Sequence, residues 1–218
     1  MIKKITLITA LLLIFAYGQI SASTVEIIGD DGNPEWSGAA TGKSKGNVLG
    51  VYSDVNLEEM EFLLNFTGQK TLSFYLYESN SPTGMYSKIY QNNVTLSGAG
   101  KTFYGSGPIS GVTLFEGGYY YSAVSWTGSG LTYYYEDYLT IPEMTSFAVC
   151  IQPGRYFTPL ADPLNIADNT VNKGVFTERF TTSPFQGEGE GVVPEPMSAV
   201  FLVTGGLFLA GVKRLKRS

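Results

Sequence analysis

The strongest constraint on this chain is a rhythm. Short runs of alternating apolar and polar residues recur between glycine-rich turn signals, and no long amphipathic helix interrupts them. Thr71-Leu72-Ser73-Phe74-Tyr75-Leu76-Tyr77 places Leu72, Phe74 and Leu76 on one face, the period of a half-buried strand. Met60–Phe66 alternates less cleanly, and Leu57, Met60 and Leu64 also fit a helical face. Thr67-Gly68-Gln69-Lys70 between the two runs decides for a hairpin. Glu116-Gly117-Gly118 and Thr127-Gly128-Ser129-Gly130 bracket a further run, Tyr119–Trp126. More strands are expected at Val48–Val55, Tyr86–Tyr90, Val94–Leu96, Val112–Phe115, Leu131–Tyr135, Phe147–Ile151 and Val175–Phe180. Short strands with frequent glycine turns predict an all-β fold, an antiparallel β-sandwich of jelly-roll type over residues 24–182. Gln152–Asn172 has three prolines and several Asp and Asn residues, and reads as a long loop crossing one end of the sandwich. Ser183–Val193 reads as a flexible acidic Gly/Glu linker.

The two ends follow other rules. Two lysines within Met1–Lys4 precede an apolar run, Ile5–Tyr17, and small residues alternate through Gly18–Ser23. Charge, apolar core and small-residue exit in that order predict a secretory signal helix at 1–23, cut after Ser23 or after Ala22. The alternative is a short membrane anchor, although the run is well under the roughly 20 residues that span a bilayer. At the other end Pro194-Glu195-Pro196 precedes an uncharged stretch from Met197 to Val212. Lys213, Arg214, Lys216 and Arg217 follow it. These features predict a short transmembrane helix whose basic end stays cytoplasmic, leaving everything before Pro194 outside the inner membrane.

This C-terminal arrangement resembles the PEP-CTERM sorting signal of Gram-negative bacteria, which is paired with a membrane enzyme called exosortase. The resemblance covers about Val192–Ser218 and rests on three features in fixed order: Pro194-Glu195-Pro196, the apolar span and the basic end. It implies cleavage near Pro194–Pro196 and release into, or attachment within, an extracellular polysaccharide layer. Signal peptidase and exosortase are then the expected processing partners. The alternative is a permanent single-span protein with the same orientation.

Composition narrows the chemistry. The chain has no histidine, which removes Ser-His-Asp, Cys-His and His-zinc arrangements. A lone cysteine, Cys150, can form neither an internal disulfide nor a zinc cluster, and is expected to be a buried small hydrophobe. Between residues 24 and 193 there are 8 basic and 18 acidic side chains, a net charge of −10 that the whole-chain value of −5 hides. Such a domain, without a basic stripe, is a poor partner for nucleic acid, and it repels strongly anionic polysaccharides unless a cation bridges them. Neutral sugars remain possible partners.

The most visible candidate site is aromatic. If Tyr119–Trp126 and Leu131–Tyr135 form a hairpin, Tyr120, Val124 and Trp126 face the core. Tyr119 and Tyr121 then face outward, together with Tyr133 and Tyr135. Sugar-binding modules stack pyranose rings on exposed aromatics of this kind. The alternative is that tyrosine, a good strand residue, simply fills both faces. Asp30-Asp31-Gly32-Asn33 offers oxygen ligands that calcium could use, but a turn before Pro34 explains it equally well, so no metal and no cofactor is assigned. Glu58, Glu59 and Glu61 read as a solvated edge. Asn65-Phe66-Thr67 and Asn93-Val94-Thr95 match the glycosylation acceptor pattern by chance. No carboxylate pair stands out for glycoside cleavage, so no catalytic residue is assigned and a hydrolase is the remotest alternative. The expected function is that of a non-enzymatic surface or matrix protein, with a carbohydrate-binding module as the alternative.

Overall fold

A strand of 25 residues organises the molecule. In the computed structural model, which describes residues 22–29, 35–37, 44–137, 144–155, 157, 160–167 and 174–187, the strand Val55–Ser79 runs without a break. Fully straight it would measure about 80 Å, about twice the roughly 40 Å width of a globule of its size. The sheet built on it is therefore curled. In chain order the strands are β1 (Thr24–Ile28), β2 (Glu35–Ser37), β3 (Ser44–Val51), β4 (Val55–Ser79), β5 (Gly84–Gly105), β6 (Thr113–Leu114), β7 (Tyr119–Trp126), β8 (Leu131–Asp137), β9 (Ala148–Arg155), β10 (Leu164–Ile166), β11 (Gly174–Phe176) and β12 (Glu178–Pro184). All their pairings are antiparallel, and no helix occurs among the described residues.

The hairpin expected across Thr67–Lys70 does not form. β5 runs past that segment in unbroken register, from Glu61 opposite Gly105 through Gly68 opposite Gly98 to Leu76 opposite Tyr90. Gly68 takes its positive φ of 73° within the strand, and Gly98 opposite it makes room for Phe66. A Cβ on Gly98 would come within 2.3 Å of the Phe66 carbonyl oxygen and 2.5 Å of its ring. That ring lies against Tyr104, with centroids 4.4 Å apart. The actual hairpin connects β4 to β5 through Asn80–Thr83, and the separate strands expected at Tyr86–Tyr90 and Val94–Leu96 are parts of β5.

The second expected hairpin is also absent. β7 and β8 do not pair with each other; both lie along one edge of β4, end to end. Ser79 to Leu72 takes Tyr119 to Trp126, and Phe66 to Leu64 takes Leu131 to Tyr133. Thr127–Gly130 interrupts this line without reversing it, with Gly128 and Gly130 at positive φ. The Lys70 ammonium holds the break by donating to the Ser129 carbonyl at 2.7 Å. β12 occupies the remainder of the same edge, from Val55 to Phe62.

The sheet order is β1-β12-β4-β7-β3-β9. Its two ends face each other across an apolar interior. Phe147, just before β9, meets Phe180 of β12 edge to face at 5.9 Å. Leu49, Leu57, Met60, Phe62, Phe74, Val124 and Trp126 are buried in the same interior, with Cys150 among them. A second, smaller apolar cluster lies on the outer face: Val48, Tyr77, Tyr86, Tyr121, Ala123, Leu164 and Ile166.

That outer cluster corrects the reading of Gln152–Asn172 as a loop across one end. The segment first extends β9 to Arg155. It then brings Phe157, Leu160, Leu164 and Ile166 onto the outer face of β3, β7 and β4, and pairs β10 with Gly84–Tyr86 of β5. Ordered structure also reaches into the stretch read as linker: β12 continues through Pro184, and Phe185 meets Phe115 at 5.7 Å. The signal helix, the Asp30–Asn33 turn, and the sorting tail with Pro194, Glu195, Pro196 and its cations lie outside the described residues.

Candidate functional site

Alternation along β7 holds, but outward does not mean exposed. Tyr120, Val124 and Trp126 belong to the interior as expected. Tyr119 and Tyr121 point to the other face, where Tyr121 is 0% exposed and Tyr119 is half-buried. Phe157 covers Tyr121 edge to face at 5.2 Å, and the Tyr121 hydroxyl lies 3.0 Å from the Ser44 hydroxyl. Tyr133 is 5% exposed and sits in the interior; Tyr135 is half-buried against it. The Tyr133 ring carries the Lys45 ammonium at 4.5 Å from its centroid. The four tyrosines therefore divide between two faces, with two of them buried, and form no common stacking surface. The correction has a simple cause: the segment after β9 covers the second face, and β8 is not the partner of β7.

The glutamate row is corrected in part. Glu58 is half-buried at the rim, where hydrogen bonds from the Ser23 and Ser183 hydroxyls lower its pKa. Glu59 is raised, first by burial and then by Glu61. Glu61 is buried and gripped by Arg179 of β12, whose Nε reaches Oε2 and whose Nη2 reaches Oε1 at 2.6 Å. The same guanidinium lies over the Phe103 ring at 4.4 Å.

A buried polar group that no local pattern marks is Glu178, at the start of β12 and 0% exposed. Asn47 of β3 serves it from across the interior: its backbone nitrogen and its Nδ2 donate to Oε1 at 3.1 and 2.9 Å. Nδ2 also donates to the Phe176 carbonyl at 2.8 Å, while Oδ1 accepts from the nitrogens of Gly154 and Phe176. One amide thus ties β3 to β9, β11 and β12. Glu178 Oε2 has no well-formed hydrogen bond. Burial pushes the Glu178 carboxyl well above its usual range, against Ser122 and Asn47, which favour the charged form. Tyr77, another buried group without a hydrogen-bond partner, is pushed up to about 12, chiefly by burial.

Two concave regions stand out among the described residues. One, of about 700 Å³, lies between the β4–β5 hairpin tip and Phe115–Gly118, with Met85, Phe115, Glu78 and Glu116 at its walls. The other, of about 300 Å³, lies on the outer face and is lined by Thr71, Ser73, Tyr75, Ser125, Trp126, Thr127 and Leu160. Ser73 and Ser125 are direct cross-strand partners, and Thr71 shares a 2.9 Å hydrogen bond with Thr95 of β5. Among the described residues no group of three or more His, Cys, Asp or Glu side chains is arranged to hold a metal. No protein-family model matches the chain, and no curated protein matches it.

Proposed function

We propose that this protein is a non-enzymatic component of the bacterial surface or extracellular matrix, exported through a signal peptide, sorted by an exosortase-type system and associated with exopolysaccharide. The observation that carries this reading is the C-terminal order of Pro194-Glu195-Pro196, uncharged span and basic end, opposite an N-terminal leader. A body with a net charge of −10, no histidine and one buried cysteine suits a structural role better than catalysis. We also read the curl as closing into a jelly-roll-like sandwich, because Asn47 and Phe147 reach from one end of the sheet to Glu178 and Phe180 at the other.

Intact-mass measurement on protein from the native host tests the export reading. The expected product begins near Thr24 and ends near Pro194–Pro196, and disruption of the host exosortase leaves the tail uncut. A mature product that retains Met197–Ser218 in the unmodified host overturns sorting and leaves a single-span anchor.

A further inference from the structure

We infer that the outer-face cleft bounded by Thr71, Ser73, Tyr75, Ser125, Thr127 and Leu160 binds an uncharged sugar residue of a neutral polysaccharide. This deepens the matrix reading, and its biological setting rests on that reading. The cleft, at about 300 Å³, lies at the lower end of the roughly 300–1,000 Å³ typical of ligand sites. Its chemistry is specific. Four serine and threonine residues line it, and their hydroxyls can both donate and accept, the dual capacity that sugar hydroxyls require. Tyr75 supplies an aromatic wall and Leu160 an apolar one, against which the C–H face of a pyranose can lie.

Tyr75 does not stand alone. Its ring stacks beside Tyr77 at 6.4 Å with an interplanar angle of 26°, and Tyr77 is wholly buried in the outer cluster. The wall is therefore held before a ligand arrives, which reduces the ordering cost of binding.

Charge decides the class of sugar. Among the described residues, no Asp, Glu, Lys or Arg lines the cleft. The adjoining face of β5 continues in the same character: Gln91, Asn93 and Thr95 are exposed opposite Tyr75, Ser73 and Thr71. An anionic sugar would find no cation among the described lining residues and would meet the field of a strongly acidic domain. A neutral chain meets neither obstacle, and the β5 row extends the contact beyond one residue.

Affinity electrophoresis of the purified full-length protein tests this, with hydroxyethylcellulose, dextran or galactomannan cast in the gel and alginate as the anionic comparator. Retardation by at least one neutral glycan is expected, with none by alginate. Tyr75→Ser and Thr71→Glu should each weaken binding by about fivefold to tenfold. Val25→Glu, on an exposed position of β1, should leave it unchanged. Thr71 is exposed, so its variant tests the site even where loss of Tyr75 disturbs folding. Absence of retardation by all three neutral glycans overturns the inference, as does equal retardation by alginate or undiminished binding by Thr71→Glu. A correctly processed product that binds none of them removes the site and leaves export standing. Binding by a protein that is never exported does the reverse.

Discussion

Asn47 and Glu178, 131 positions apart in sequence, are joined by two hydrogen bonds to a single carboxylate oxygen, at 3.1 and 2.9 Å. Both residues are wholly buried, so the bonds form where no water competes. They connect the third strand to the last one, and with the Asn47 bonds to Gly154 and Phe176 they hold the curl of the sheet shut. Phe147 and Phe180 also meet between the ends of the curled sheet, but the Asn47 amide supplies the buried hydrogen bonds there.

Replacing Asn47 by leucine, which keeps the approximate volume, should therefore be costly. It strands the nitrogens of Gly154 and Phe176 and the carbonyl of Phe176 in the interior. At about 1–3 kcal/mol for each unsatisfied buried group, the expected loss is about 3 kcal/mol or more, measured by urea denaturation. A loss below about 1 kcal/mol, at the level of one ordinary hydrogen bond, would show that the curl is held elsewhere.

Glu178 gives a pH dependence with a definite sign. Its folded-state pKa lies well above the ordinary 4.5, so the folded protein holds the proton to higher pH than the unfolded chain. The stabilisation from that proton is complete below about pH 4.5 and is lost as pH rises toward the folded-state value. Glu178→Gln keeps an acceptor for Asn47 and cannot ionise. Its stability should exceed that of the wild type at pH 7–8, and the difference should shrink to nothing near pH 4. A variant that is less stable than wild type at pH 8 would contradict this account.

The glycines of the long strand pair make two further substitutions informative. Gly98→Ala puts a Cβ within 2.3 Å of the Phe66 carbonyl oxygen, and backbone is slow to yield. A cost of about 2–3 kcal/mol is expected, in the range of overpacked core sites. Gly68→Ala meets no neighbour, but its φ of 73° is left-handed. That substitution should cost about 1–2 kcal/mol for a single left-handed residue. Thermal denaturation of the two variants separates crowding from backbone strain; equal stability of Gly98→Ala and wild type would mean that β4 and β5 are looser there than their register implies.

These same glycines show where sequence reading succeeds and where it stops. Alternation in Thr71–Tyr77 and Tyr119–Trp126 assigns strand and face correctly, because period 2 is a local property of the extended backbone. Pairing is not local. Thr67–Lys70 and Thr127–Gly130 carry the composition of turns, yet in the fold one lies within a strand and the other breaks a strand line. Glycine signals either a reversal or a close approach, and only the partner strand decides between them. Cover on the second face is equally non-local: nothing within Tyr119–Tyr121 announces that Phe157 lies over it. Glu178 shows the limit most clearly, since an acidic residue beside Arg179 reads as surface until Asn47 arrives from β3.

At Tyr121 the two readings of the tyrosines diverge. A stacking tyrosine on an exposed face can be replaced at little cost to stability, because its ring is already in water. Tyr121 is instead enclosed by Tyr77, Phe157 and the Ser44 hydroxyl. Tyr121→Ala removes the ring, opens a cavity and leaves Ser44 without that partner. The cost should be about 3–5 kcal/mol, as for other buried large-to-small aromatic changes. Tyr121→Phe removes only the hydroxyl and should cost about 1 kcal/mol. Tyr119→Ala, at a half-buried position of the same strand, should fall well below Tyr121→Ala. Denaturant unfolding of the three variants gives the order directly. If Tyr121→Ala were as stable as wild type, the cover supplied by Phe157 and Leu160 would be open in solution, and the outward face of β7 would again be available for stacking.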